Sequence, residues 1–273
     1  IRQMGAEFAS EHPKIAGRLG INAETIEDPH VSRLIEGFAY LNARIQHKLD
    51  DDFPDLSDAL LEVLFPHYQR PIPSMSIVQF VADEEKLEAT YRLAKNTLLE
   101  TEQYQGENCR FTAIYETQLH PLKLTEASLL GQPFTTPGSK NLKGSGGVLK
   151  LSLKTFNSEI TFADVRPDRL RFYLKGQPQH INPLYELLLN NCEAIYMATS
   201  GNDANPVRLP TNIIKPVGFN IDYGLLPYPN SSFMGYRLLN EYFAFPEKFM
   251  FIDLEDFADK IVATSEDTLE FYM

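Results

Sequence analysis

The chain has 273 residues, 43% of them hydrophobic and 23% charged, with a formal net charge of −12. That is the composition of a globular protein with one large or two ordinary domains. A strongly acidic chain without a Lys/Arg cluster lacks the basic footprint that nucleic acid requires. No apolar run approaches the ~20 residues of a membrane-crossing helix, and two cysteines, Cys109 and Cys192, cannot form a disulfide framework.

The first strong pattern starts at Asp28-Pro29, where Asp can cap a helix and Pro suits its first position. Val31, Leu34, Phe38, Leu41 and Ile45 then recur in steps of three and four, with Leu49 one step beyond and Ile35 and Ala39 widening the stripe. Burying six such side chains would stabilise by roughly 10–15 kcal/mol before entropy, so the stripe needs a partner surface, in its own domain or on another subunit. Asp50, Asp51 and Asp52 follow where a helix dipole disfavours negative charge, and they read as a solvated acidic turn rather than a calcium loop. A second helix is predicted over 57–65, with Ser57 as its cap, Leu60, Leu61 and Leu64 as its core face, and Pro66 as its stop.

Pro71 and Pro73 lead into a strand predicted over 76–82, and the domain boundary is placed before it. Further strands are expected over 98–102, 109–116, 118–124, 148–155, 170–174, 193–199 and 207–217. The clearest is 148–155, where Leu149, Leu151 and Leu153 alternate with Lys150, Ser152 and Lys154. Asn182-Pro183 opens an inserted helix near 183–191. From Tyr223 to Leu254 the chain becomes dense in aromatic residues: Tyr236, Leu239 and Phe243 have helical spacing, Pro246 ends that helix, and 248–254 reads as a strand. On that helix Arg237 and Glu241, four apart, can pair.

The fold class is therefore α+β, mostly β: an N-terminal helical segment (1–70), a β-rich sandwich or barrel-like domain (71–220) and an aromatic-rich region (221–273). The chain opens at Ile1 and closes in the strand-like TLEFYM, so that last region is expected to continue further.

No catalytic constellation is legible. The one glycine cluster, Gly144 to Gly147, fits neither GxxxxGK[ST] nor GxGxxG and reads as a hairpin turn. The six histidines show no HExxH and no close helical pair, and no GxSxG elbow is present. Cys192 beside Asn190 and Asn191 reads as a packed small hydrophobe. His67-Tyr68 is the one candidate polar site, and it reads best as a hydrogen-bonded prop for the proline-rich corner. No metal or cofactor is expected, and the protein is expected not to be an enzyme.

The run LLPYPNSSFMGYRLLNEYFAFPEKFMFIDL (225–254), with KIAGRLG (14–20) and LLEVLFPHYQRPIPSM (60–75), closely resembles the TssF family of type VI secretion baseplate subunits. The resemblance implies that Pro66, His67, Tyr68, Pro71, Pro73, Tyr236, Arg237, Glu241, Tyr242, Phe243, Pro246 and Lys248 are family-signature structural residues. It implies a cytoplasmic wedge subunit, two copies of which embrace one TssG, with TssK, TssE and tube or sheath components as further partners. It also implies a longer protein, with the remainder C-terminal to this stretch. Within that frame the face Val31, Leu34, Phe38, Leu41 and Ile45 is expected to enter an intermolecular helix bundle. The alternative is a carbohydrate-binding or carbohydrate-active β-sandwich, which would show a concave aromatic cleft holding two carboxyl groups.

Overall fold

A computed structural model describes residues 2–20, 28–51, 54–137, 145–226, 229, 232–261 and 266–273, the side chains of 2–5 and His67 excepted. Asp52 and Gly144 lie outside those residues. The chain divides into two compact units, Ile1–Arg70 and Pro71–Met273.

The first unit is helical: α1 (Arg2–Glu11), α2 (Pro13–Arg18), α3 (Pro29–Asp51), α4 (Pro54–Leu64) and a 3-10 turn at Pro66–Tyr68. Four of these five begin on proline, whose fixed φ suits a first helical residue and whose missing N–H costs nothing there. Asp28 caps α3, its Oδ1 accepting the His30 N–H at 2.8 Å. The helix continues through Asp50 and Asp51, which are exposed, so the acidic turn lies partly inside it; Gln46 donates to Asp50 at 3.1 Å. In α4 the prediction is corrected: the helix starts three residues before Ser57, on Pro54. The Ser57 hydroxyl donates back to the Pro54 carbonyl at 3.0 Å, within the first turn, instead of capping it. Neither α3 nor α4 buries a single residue, so Leu60 and Leu64 form no core face.

The second unit holds all the described strands, every pairing antiparallel. A two-stranded ribbon joins β1 (Tyr91–Leu93) to β4 (Thr117–Leu119) and encloses a second one of β2 (Leu98–Glu100) and β3 (Arg110–Thr112). A five-stranded sheet runs β5–β6–β12–β8–β9, from β5 (Leu122–Gly131), β6 (Gly147–Thr155), β8 (Ile195–Ala198), β9 (Val207–Leu209) and β12 (Thr268–Tyr272). A three-stranded sheet runs β10–β11–β7, from β7 (Arg169–Tyr173), β10 (Ile214–Pro216) and β11 (Phe251–Glu255). Three helices are inserted: α5 (Phe162–Val165), α6 (Pro178–Asn190) and α7 (Met234–Ala244).

Several predicted strands are shortened or split, each by an identifiable residue. Among the described residues, 76–82 pair with no strand and run as irregular chain, because alternating apolar residues need a ladder partner to become a strand. Pro121, without an N–H, divides 118–124 between β4 and β5. Pro210 and a 3-10 turn at Thr211–Ile213 interrupt 207–217, and a 3-10 turn at Pro246–Phe249 delays β11 to Phe251. Helix α6 starts at Pro178, so Pro183 stands inside it and not at its start.

The two larger sheets share one core. Leu149, Leu151 and Leu153 of β6, Ile195 and Met197 of β8, and Leu269 and Phe271 of β12 point inward. They meet Leu170, Ile252 and Leu254 of the three-stranded sheet, with Phe162, Leu188 and Phe257 between. The outer face of the larger sheet is partly ionic: Lys150 reaches Glu126 at 2.8 Å and Glu270 at 3.1 Å, and the Tyr272 hydroxyl donates to Glu270 at 2.5 Å. Within 221–273, β11 is the middle strand of one sheet and β12 the middle strand of the other. The aromatic-rich stretch is thus woven through the sheets of 71–220.

Candidate functional site: a buried ionic cluster under an aromatic helix face

Helix α7 is turned inside out. Its two charged residues, Arg237 and Glu241, are 0% and 1% exposed, whereas Phe233 at its N-cap, Leu239 and Phe243 are 70%, 58% and 81% exposed. At 100° per residue, Arg237 and Glu241 share one side, and Tyr236, Leu239, Tyr242 and Phe243 fill the arc opposite. The predicted stripe of Tyr236, Leu239 and Phe243 is real, but it faces outward.

The inward side is satisfied by fixed partners. The Arg237 guanidinium donates to the Ile221 carbonyl at 2.9 Å and the Asn220 carbonyl at 3.0 Å. Gly224 lets it in, since a Cβ there would overlap the guanidinium. Glu241 accepts the Leu225 N–H at 2.8 Å on one oxygen and the Lys248 ammonium on the other. The predicted Arg237–Glu241 pairing is the looser contact, 4.0 Å from Nε to Oε1. Burial pushes the Lys248 ammonium below its ordinary value, and Glu241 opposes that shift by holding the charged form. Pro246 ends α7 and starts the turn that carries Lys248 back under the helix, while the Phe245 N–H closes on the Glu241 carbonyl at 2.8 Å.

Sequence reasoning missed a second ionic centre close by. Asp253 of β11, 3% exposed, accepts Nε and Nη2 of Arg171 at 2.7 and 2.6 Å, a bidentate fork. Arg171 stands 4.9 Å over the Tyr115 ring, and Tyr115 meets Tyr223 edge-on at 5.0 Å. Burial pushes the Tyr115 phenol far above its ordinary value. The signal available was the cross-strand register that sets Arg171 opposite Asp253, which appears only once β7 and β11 are known to pair.

The remaining predicted residues sit in the first unit and at the start of the second. On α3, Val31 is half-buried, and Leu34, Phe38, Leu41 and Ile45 are exposed, Leu34 by 75%. Pro66 is buried; Tyr68 is exposed with its ring 6.0 Å from Phe65, and Pro71 and Pro73 are exposed. The His67 side chain lies outside the described residues.

These are arrangements for holding shape and for contact. Among the described residues, no group of three or more His, Cys, Asp or Glu is placed to hold a metal ion, and no helix is long and apolar enough to cross a membrane. Two clefts of about 490 and 420 Å³ open in the second unit. The first, between Glu100, Glu107 and Arg110, has no aromatic wall; the second, beside Tyr91, His120 and Arg166, contains one carboxyl group, Asp168. Neither combines an aromatic wall with a carboxyl pair.

A curated relative, the type VI secretion system component TssF1 of Pseudomonas aeruginosa, is 37% identical over 260 residues, 93% of this chain. The fold is similar to a chain in a cryo-electron microscopy structure of the type VI secretion system TssK–TssF–TssG baseplate subcomplex, with a TM-score of 0.68 and 26% identity over 88% of this chain. The chain spans 42% of the length of that relative and 43% of that solved chain. The model of the family described as type VI secretion system, TssF, matches residues 1–273 from end to end, and the chain belongs to that family.

Proposed function

We propose that this chain is part of a structural subunit of the type VI secretion baseplate wedge, acting by assembly and not by catalysis, on the cytoplasmic side. Its partners in this reading are TssG, a second copy of the chain, TssK and TssE. The observation that carries it is the likeness to a chain solved within a TssK–TssF–TssG subcomplex. The geometry supports it: a 23-residue helix, α3, presents Leu34, Phe38, Leu41 and Ile45 without burying any of its residues. An apolar stripe of that length is costly to leave in water and marks a protein contact.

In this reading Val31, Leu34, Phe38, Leu41 and Ile45 pack into a helix bundle with TssG, while Arg237, Glu241 and Lys248 hold the fold. The experiment is co-expression of the full chain with its cognate TssG, followed by size-exclusion chromatography with light scattering. The wild-type chain is expected to elute with TssG, and Phe38→Asp to abolish co-elution with the circular dichroism of the β unit unchanged. A wild-type chain that ignores TssG would overturn the wedge reading. A Phe38→Asp chain that still binds TssG, or that unfolds, would remove α3 from the interface.

A further inference from the structure

We infer that the cleft between the β1–β4 ribbon and the corner joining α5 to β7 binds an acidic segment of a protein partner, its carboxylates held by Arg92 and Arg166. The register of the ribbon builds one wall. Arg92 pairs across the strands with Gln118, and two positions back Thr90 stands beside His120, so these four side chains share one face. His120 fixes that wall to the body of the unit: its Nε2–H donates to the Arg169 carbonyl of β7 at 3.1 Å, while its Nδ1 accepts the Thr90 hydroxyl at 2.9 Å. The opposite wall is the corner after α5, where Thr161 and Asp164 cap the helix start reciprocally and Arg166 closes its end. Between the walls lie about 420 Å³, room for a few residues of extended chain.

The cleft is rich in donors that the chain itself leaves idle. Among the described residues nothing bonds the exposed Arg166 guanidinium, although its backbone stands at φ 37°, a conformation that arginine resists. Strain of this kind persists where a side chain is needed in one place. Arg92 has only Glu116 at 3.9 Å and Asp168 at 3.7 Å, both too far for a hydrogen bond, and the Gln118 amide has no partner among the described residues. In a chain of net charge −12, two idle guanidiniums beside one exposed carboxylate make a local positive site. Guanidiniums fork onto planar carboxylates, and arginine clusters are a recurring means of recognising acidic motifs. Asp168 selects among anions. A phosphate brings only acceptors and negative charge, which Asp168 repels, whereas a peptide also brings backbone N–H groups that donate to such a carboxylate. This inference does not rest on the wedge reading, which places its contact on α3.

The test titrates hexaglutamate into the full chain at low ionic strength, by isothermal titration calorimetry. One saturable site that added salt weakens is expected, since the charge of the chain repels this probe from the rest of its surface. Arg166→Gly and Arg92→Gln should each weaken binding about ten- to a hundredfold, the loss of one charge-assisted contact. Arg166→Gly also relaxes the left-handed corner, so it should unfold at a urea midpoint no lower than wild type, and its loss of binding then cannot come from misfolding. Arg92→Gln leaves that corner untouched and carries the test if Arg166→Gly proves unstable. The inference is overturned if hexaglutamate does not bind the wild-type chain, or if a stably folded variant binds it as tightly as wild type. It is equally overturned if inorganic pyrophosphate displaces hexaglutamate and binds more tightly, since the cleft would then take small anions and not a partner's acidic segment.

Discussion

Lys248 and Glu241 show how a charged pair survives with almost no access to water. Each hydrogen-bonding role of the carboxylate is filled, one oxygen by a backbone N–H and the other by the ammonium. Removing one partner leaves the other buried and unpaired, which costs far more than the pair contributes. Glu241→Ala should therefore destabilise the second unit by about 3–5 kcal/mol in urea unfolding. The apolar double change Glu241→Leu with Lys248→Met should recover most of that loss. A cost below about 1 kcal/mol for Glu241→Ala would show that water reaches the pair. Of this cluster, the spacing of Arg237 and Glu241 was legible in the sequence, but which side of the helix faces the core was not. Helical period fixes which residues share a side but not which side is inside, and the interior here is lined by the carbonyls of Asn220 and Ile221 and by Lys248.

Elements were most readable where local chemistry decides them. Helix α3 combines a capping Asp, a first-position Pro and an unbroken stripe, and it forms over the predicted span. Strand β6 alternates strictly, and it forms as read with its leucines inward. Residues 76–82 fail as a strand because pairing is a property of two segments, and one segment cannot show whether a partner exists. The short helix α5 illustrates local strain: Arg166, the residue that caps its C-terminal end, adopts φ 37°, a left-handed conformation in which glycine is at ease and arginine is not. Arg166→Gly should accordingly stabilise the second unit by about 0.5–1 kcal/mol, read as a higher urea midpoint at unchanged slope. A lower midpoint would mean that the arginine side chain holds the turn more firmly than the backbone resists it.

For the molecule as a whole, each of the two compact units is tested through what it buries itself. Phe271, fully buried in β12 between β6 and β8, belongs to the core of the second unit; Phe271→Ala should cost about 3–5 kcal/mol there. Phe38→Asp on α3 should leave that same transition within about 0.5 kcal/mol of wild type, and hydrogen exchange followed unit by unit would separate the two effects. If Phe271→Ala loosened α3 as strongly as β6, the chain would be one cooperative body. The place of β12 also bears on how the protein comes into being. During synthesis, β6 is complete more than a hundred residues before the strand that belongs at its side, since Ser152 and Glu270 are 118 positions apart. A chain that folds before residues 268–272 have left the ribosome would carry a slot one strand wide between the backbone edges of β6 and β8, with Leu151, Leu153 and Met197 beside it on the core face. That slot is a template for any stray strand, so newly made chains should depend on chaperones up to the last few codons of this stretch.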